Sequence, residues 1–264
     1  MAYKLIALDV DGTLLTDDRI LPERNIEAMR AAICAGVEVM IATGRPYRAA
    51  ARMMELAGLE GLILSAGGAL ISRYPSADTL YEAFVAADAI SDLADCCRQN
   101  GWFWFCFSGM DYYYEKEGDD ARAIEHYLGM PGIILDYGSD HQRDFNKGTV
   151  MVDPAIIQSA AEVLRNRIGD RAEVQISDKN IIDITPKGIV KGVSVLQAAK
   201  LRGLSADQVI AVGDTDSDIS MIKAAGLGVC MANGTAGAKA VADYIAPSNN
   251  ECGVAHVIEK FILS

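Results

Sequence analysis

Short apolar runs that alternate with helix-period segments constrain this chain more than any other feature. Leu5-Ile6-Ala7-Leu8 precedes a stretch from Pro22 to Ala35 in which Ile26, Met29 and Ile33 fall at helical spacing, and Val37–Ala42 follows. Pro22 suits a first helical turn and Gly36 suits a stop. A second helical pattern begins near Pro46 and leads to Leu62-Ile63-Leu64. Late in the chain, a pattern over 193–201 leads to Val209–Val212, and one over 218–225 leads to Leu227–Cys230. This alternation predicts an α/β fold built on a doubly wound, Rossmann-like parallel sheet with helices on both faces. In such sheets ligands bind beyond the carboxyl ends of the strands.

The middle of the chain reads differently. Trp102–Phe107 and Tyr112–Tyr114 flank the turn Ser108-Gly109-Met110-Asp111, as a hairpin would. Helical patterns over 86–99 and 154–168 surround it, with strand-like segments near 148–152, 172–177 and 181–184. We therefore expect an α+β module, residues 83–187, inserted between two core segments, 1–82 and 188–264. The aromatic stripe is expected to be core rather than a ligand box.

Composition narrows the partners. A net charge of −12 over 264 residues speaks against nucleic acid and anionic membrane surfaces, both of which call for basic patches. No run approaches the roughly 18 apolar residues of a membrane helix, and no signal-peptide pattern opens the chain. The six cysteines form no C-x-x-C pair, which fits reduced, mostly buried thiols and a cytoplasmic protein. An anionic substrate would need its positive charge supplied locally.

Four stretches fall at predicted strand ends: Asp9-Val10-Asp11-Gly12-Thr13, Ala42-Thr43-Gly44-Arg45, Lys191 within Gly188–Gly192, and Gly213-Asp214-Thr215-Asp216-Ser217-Asp218. Each has an ordinary explanation in isolation. Asp11-Gly12 reads equally as a two-residue hairpin turn, and Thr43-Gly44 as a helix cap. Lys191 alone reads as a solvated lysine. Asp214, Asp216 and Asp218 read as cap acids favoured by a helix dipole, and they lack the glycine and glutamate of a calcium loop. The combination is harder to dismiss. Asp9 and Asp11 share one face of an extended chain. With a second acidic cluster, a lysine and a threonine hydroxyl nearby, they describe a site for magnesium and a phosphoryl group. The hairpin is then displaced to about Leu14–Arg19. His126, His141 and His256 lie outside this set and are assigned no role.

These four motifs, in this order, resemble those of the haloacid dehalogenase superfamily. The large insertion resembles the type IIB cap of its Cof-type sugar phosphatases. Met231–Gly234 and Ser248–Ala255 extend the resemblance over essentially the whole chain. It implies magnesium-dependent hydrolysis of a small phosphorylated metabolite, with sugar phosphates the expected class. Asp9 would be the nucleophile and Asp11 the acid and base. Magnesium would be held by Asp9, the Asp11 carbonyl and Asp214, with Asp218 supporting. Val10, Thr43, Gly44 and Lys191 would hold the phosphoryl group, with Ser217 standing where the family usually has asparagine. Ala66-Gly67-Gly68-Ala69 also departs from the common Asn-Gly-Ala. We expect Ser217 to lower efficiency without abolishing it. A phosphomutase of the same fold and a non-catalytic phosphometabolite-binding protein are the alternatives.

Overall fold

The computed structural model describes residues 3–135 and 143–264, so His141 lies outside the described residues. Two sheets organise the chain. The larger contains β1 (Leu5–Leu8), β2 (Glu38–Ala42), β3 (Gly61–Ser65), β4 (Leu70–Tyr74) and β5 (Thr79–Glu82) from the first part of the chain. The smaller contains β6 (Phe103–Ser108), β7 (Asp111–Tyr114), β8 (Ile133–Ile134), β9 (Lys147–Met151), β10 (Ala172–Asp178) and β11 (Ile181–Pro186). The chain then returns to the larger sheet with β12 (Val209–Gly213), β13 (Leu227–Met231) and β14 (Tyr244–Ala246).

The strand order of the larger sheet is β14-β13-β12-β1-β2-β3-β4-β5. From β14 to β3 all pairs are parallel, while β3–β4 and β4–β5 are antiparallel. The expected parallel sheet is thus present and is extended at one edge by two antiparallel strands. The chain reverses through the tight turn Ala66–Gly68 instead of crossing over a helix, which only an antiparallel neighbour permits. Both faces of the parallel region are covered. Ile6, Leu8, Val39 and Ile41 face the helices Glu23–Cys34, Tyr47–Ala57 and Gly253–Phe261. Leu5, Ala7, Met40 and Ala42 pack toward Val195 and Ala199 of the helix Lys191–Leu201. Burial on both faces is why these strands read as continuous apolar runs.

The smaller sheet runs β10-β11-β9-β6-β7-β8. Its side chains divide by period two. Trp104, Cys106 and Tyr113 join a core with the helices Ala87–Asn100 and Ile157–Ile168. Phe105, Phe107, Tyr112 and Tyr114 turn to the opposite face and pack with Ile124 and Leu128 of the helix Asp119–Leu128, and with Ala49, Ala66 and Ala69 of the larger unit. The aromatic stripe is thus largely core, and one of its faces looks toward the larger sheet. All six cysteines are free, and four are buried. Among the described residues no helix is long and apolar enough to cross a membrane.

Candidate active site

β1 is flanked by β12 and β2, with Leu8 level with Val212 on one side and Ile41 on the other. The residues that follow these three strands therefore emerge side by side at the carboxyl edge. Asp9, whose amide donates to the Val212 carbonyl at 3.0 Å, is 6% exposed there. Val10 buries its side chain in the core, which leaves only its backbone for a ligand. Gly12 then takes φ +78°, and a Cβ on it would lie 2.4 Å from Asp214 Oδ2. Thr13 completes the turn and donates its hydroxyl to Asp214 Oδ1 at 2.7 Å. The Asp-Gly step is thus a loop over the sheet edge. The turn expected downstream exists, closed by Thr16–Ile20 and Arg19–Thr16 backbone bonds, but no strands flank it.

Lys191 opens its helix with a buried side chain and donates to Asp9 Oδ1 and Asp218 Oδ1, each at 2.6 Å. Asp218 also accepts from the Asp214 and Thr215 amides at 3.1 and 3.0 Å. Thr43 is buried, its Oγ1 accepting from the Arg45 amide at 3.2 Å. Gly44 follows on the same loop and faces the same cavity. Ser217 lines the cavity too, with its Oγ 2.8 Å from Thr215 Oγ1. Asp216 departs from the cluster: it is exposed and accepts from the Thr235 hydroxyl.

Carboxylate oxygens of Asp9, Asp214 and Asp218 lie within 4.8 Å of one another. Burial, with repulsion from Asp218 and Asp214, raises the Asp9 carboxyl well above its usual range against the pull of Lys191. Burial and the Asp218 charge likewise push Asp214 up to about 7. Lys191, despite its burial, is raised by Asp218 and Asp9 and stays protonated. Three buried carboxylates against one ammonium leave negative charge uncompensated. A hard divalent cation with oxygen ligands fits that donor set.

Asp11 differs in environment. Burial alone would raise its carboxyl, but the Arg45 bonds and charge outweigh it, helped by Arg19 and the Tyr127 hydroxyl, and hold it below the usual range. Arg45 grips both oxygens, Nε to Oδ2 at 2.7 Å and Nη2 to Oδ1 at 2.5 Å. Arg45 was visible in the Thr-Gly-Arg motif, yet nothing in the spacing pairs it with Asp11.

Three further residues escape sequence reasoning because they reach the site from the smaller sheet's unit. Tyr127 has two guanidinium groups at its ring, Arg19 at 4.2 Å and Arg45 at 5.2 Å from the ring centre. Lys147 is buried and donates to the Gly44 carbonyl at 2.9 Å, with Asp183 Oδ2 2.8 Å away. A cavity of ≈ 540 Å³ lies between the units, with Asp9, Thr43, Lys191 and Ser217 on one side. Phe105, Phe107, Lys147 and Asp183 lie on the other.

Comparison with known proteins agrees with this layout. A profile of haloacid dehalogenase-like hydrolases matches residues 6–258. A 5-amino-6-(5-phospho-D-ribitylamino)uracil phosphatase of Bacillus subtilis is 30% identical, covering 98% of this chain and 96% of its own. A phosphoglycolate phosphatase of Methanosarcina acetivorans is 28% identical over the same shares. The crystal structure of a haloacid dehalogenase-like hydrolase from Bacteroides thetaiotaomicron superposes with a TM-score of 0.87 at 30% identity, covering 98% of this chain and 99% of that one.

Proposed function

Because the chain belongs to the haloacid dehalogenase-like hydrolases, as a Cof-type phosphatase, we propose that it hydrolyses small phosphate monoesters with magnesium, through an aspartyl-phosphate on Asp9. The observation that carries this reading is the convergence of Asp9, Asp214, Asp218 and Lys191 at one sheet edge, beneath a cavity roofed by residues of the 83–187 insertion.

Asp9, the Asp11 carbonyl and Asp214, with Asp218 behind them, would hold magnesium, whose positive charge would let a phosphoryl dianion approach a carboxylate. Lys191, the Thr43 hydroxyl and the Val10 and Gly44 amides hold the phosphoryl oxygens, and Ser217 borders them. Asp9 Oδ attacks phosphorus as the ester P–O bond breaks, and the leaving oxygen takes a proton from Asp11. Water then attacks the aspartyl-phosphate and gives its proton to Asp11, which releases inorganic phosphate and restores the Asp9 carboxylate. Splitting the hydrolysis into two displacements lowers each barrier, and a placed acid and base adds about 10²–10⁴-fold. Held ionised by Arg45, Asp11 is set for the second step. For the first it must gain a proton, which requires the Arg45 pair to loosen when substrate enters.

The 83–187 insertion acts as the cap that closes over the leaving group and selects it. Its wall offers Gln175, Ser177 and Thr149 alongside Phe105 and Phe107 on one sheet, which suits hydroxyl-rich leaving groups such as sugars and polyols. Phosphate release from p-nitrophenyl phosphate tests the chemistry. Release that needs magnesium, stops with chelator and falls at least 10³-fold in Asp9→Asn supports it. Release unchanged in Asp9→Asn refutes it, and conversion of a sugar phosphate to its isomer without free phosphate indicates a mutase.

A further inference from the structure

Lys147 is the one buried lysine besides Lys191 among the described residues that lines the cavity. It begins β9 on the inserted unit, yet its ammonium reaches the Thr43–Arg45 loop of the core. An ammonium has three donors. The Gly44 carbonyl takes one and Asp183 takes another, and among the described residues no third acceptor engages it. Asp183 is itself fixed by the Thr149 hydroxyl at 3.1 Å, and the Phe107 ring centre lies 5.2 Å from the Lys147 nitrogen. The donor is therefore rigidly placed. Burial lowers the Lys147 ammonium's affinity for its proton, and Asp183 counters this. A buried ammonium with an unused donor lacks a hydrogen bond that a ligand in the cavity can supply.

Its position says which part of the ligand. A Cβ added to Gly44 would lie 3.3 Å from the Lys147 nitrogen, so the ammonium sits against the loop that would hold the phosphoryl group, on its cap side. In-line attack by Asp9 sends the leaving group away from β1 and toward the cap. Lys147 lines the cavity on that side, so its ammonium faces the region that the first atoms of the leaving group enter.

We propose that Lys147 is a specificity-determining residue, whose ammonium binds a second oxygen function, hydroxyl or carboxylate, on the carbon next to the ester-bearing carbon of the leaving group. This rests on the phosphatase reading for the ligand's orientation, but its test does not need turnover. Asp9→Asn protein in magnesium buffer is titrated calorimetrically with 2-hydroxyethyl phosphate and with propyl phosphate, which replaces the hydroxyl by a methyl group. The hydroxyl ligand should bind about tenfold tighter or more, as befits a hydrogen bond from a charged donor. Adding Lys147→Met should collapse that ratio to near one. Equal binding of both ligands to Asp9→Asn overturns the proposal. So does a uniform weakening of both on adding Lys147→Met, which would assign the ammonium to the phosphoryl group. Circular dichroism checks folding, and Lys147→Gln replaces Lys147→Met in the same comparison if the latter is unfolded. Phosphate release by the wild type separately decides the phosphatase reading.

Discussion

At Gly12 a single added methyl group would be felt most directly. The backbone there has φ +78°, and the methyl would strike Asp214 Oδ2. Gly12→Ala should cost about 1 kcal/mol of stability from the backbone alone. It should also raise the magnesium concentration for half-maximal activity at least tenfold, because the displaced carboxylate is a proposed ligand. A magnesium titration beside a thermal melt separates the two effects. Ser217 predicts the opposite direction. Its short side chain borders the cavity with its hydroxyl engaged by Thr215, where an asparagine amide would reach further in. Ser217→Asn should therefore raise kcat/KM several-fold, and slower hydrolysis would contradict the role given to position 217. Asp9, Asp11, Asp214 and Lys191 were legible in the sequence because each ends a strand or opens a helix whose boundaries the hydrophobic pattern reveals. Lys147 and Tyr127 were not. Each sits in a segment with ordinary local character, and only the docking of one unit on the other gives it a neighbour to act upon.

At the scale of elements, the helices of the inserted unit are held together partly by charge. Arg171 and Arg167 both bond Asp92 of the helix Ala87–Asn100, and the Arg171 bonds first, then those of Arg167, lower its carboxyl below the usual value. A depressed carboxylate stabilises the fold above its unfolded pKa, about 3.9, and loses that contribution as the pH falls through the lower, folded value. Asp92→Asn should thus lower the melting temperature at pH 7, and its gap from the wild type should close below about pH 3.9. A gap that persisted at low pH would show that packing, not ionisation, was lost. The tail is tied in by amides: Asn249 Nδ2 donates to the Leu15 carbonyl and Asp17 Oδ1, both at 3.0 Å, and Asn233 Nδ2 donates to the Gly12 carbonyl at 2.7 Å. Asn249→Ala strands the Leu15 carbonyl and should cost about 1–3 kcal/mol, read by urea unfolding. The parallel strands were legible as apolar runs. β4 and β5 were not, since Ser72, Arg73 and Thr79 interrupt any period, and their pairing depends on the turn at Ala66–Gly68.

At the scale of the whole molecule, the two units touch across the cavity through named contacts. Lys147 reaches Gly44, Arg19 Nη2 donates to the Tyr127 carbonyl at 3.1 Å, and Arg48 pairs with Asp111 at 2.8 Å. The buried carboxylates beneath should make the protein's stability respond to cation. Saturating magnesium at about 100 times its Kd adds about 2.7 kcal/mol to the folded state. The melting temperature should then rise by about 5 °C or more, and Asp214→Ala should remove the response. No upshift in the wild type would count against a magnesium site at this cluster.

The place of β1 between β12 and β2 has one more consequence, for synthesis on the ribosome. β2 can pair with β1 early, and β3 with β2, but the β12 edge must wait for roughly 200 further residues, about 10–40 s at ordinary elongation rates. During that interval the open side of β1, a wholly apolar strand, has no partner, and the Asp9 loop has no Asp214 to meet. The nascent chain is then most exposed to mispairing. A translation pause before Val209 lengthens that exposure, whereas slow codons met only after Val209–Gly213 has left the ribosome find the core sheet already closed around its first strand.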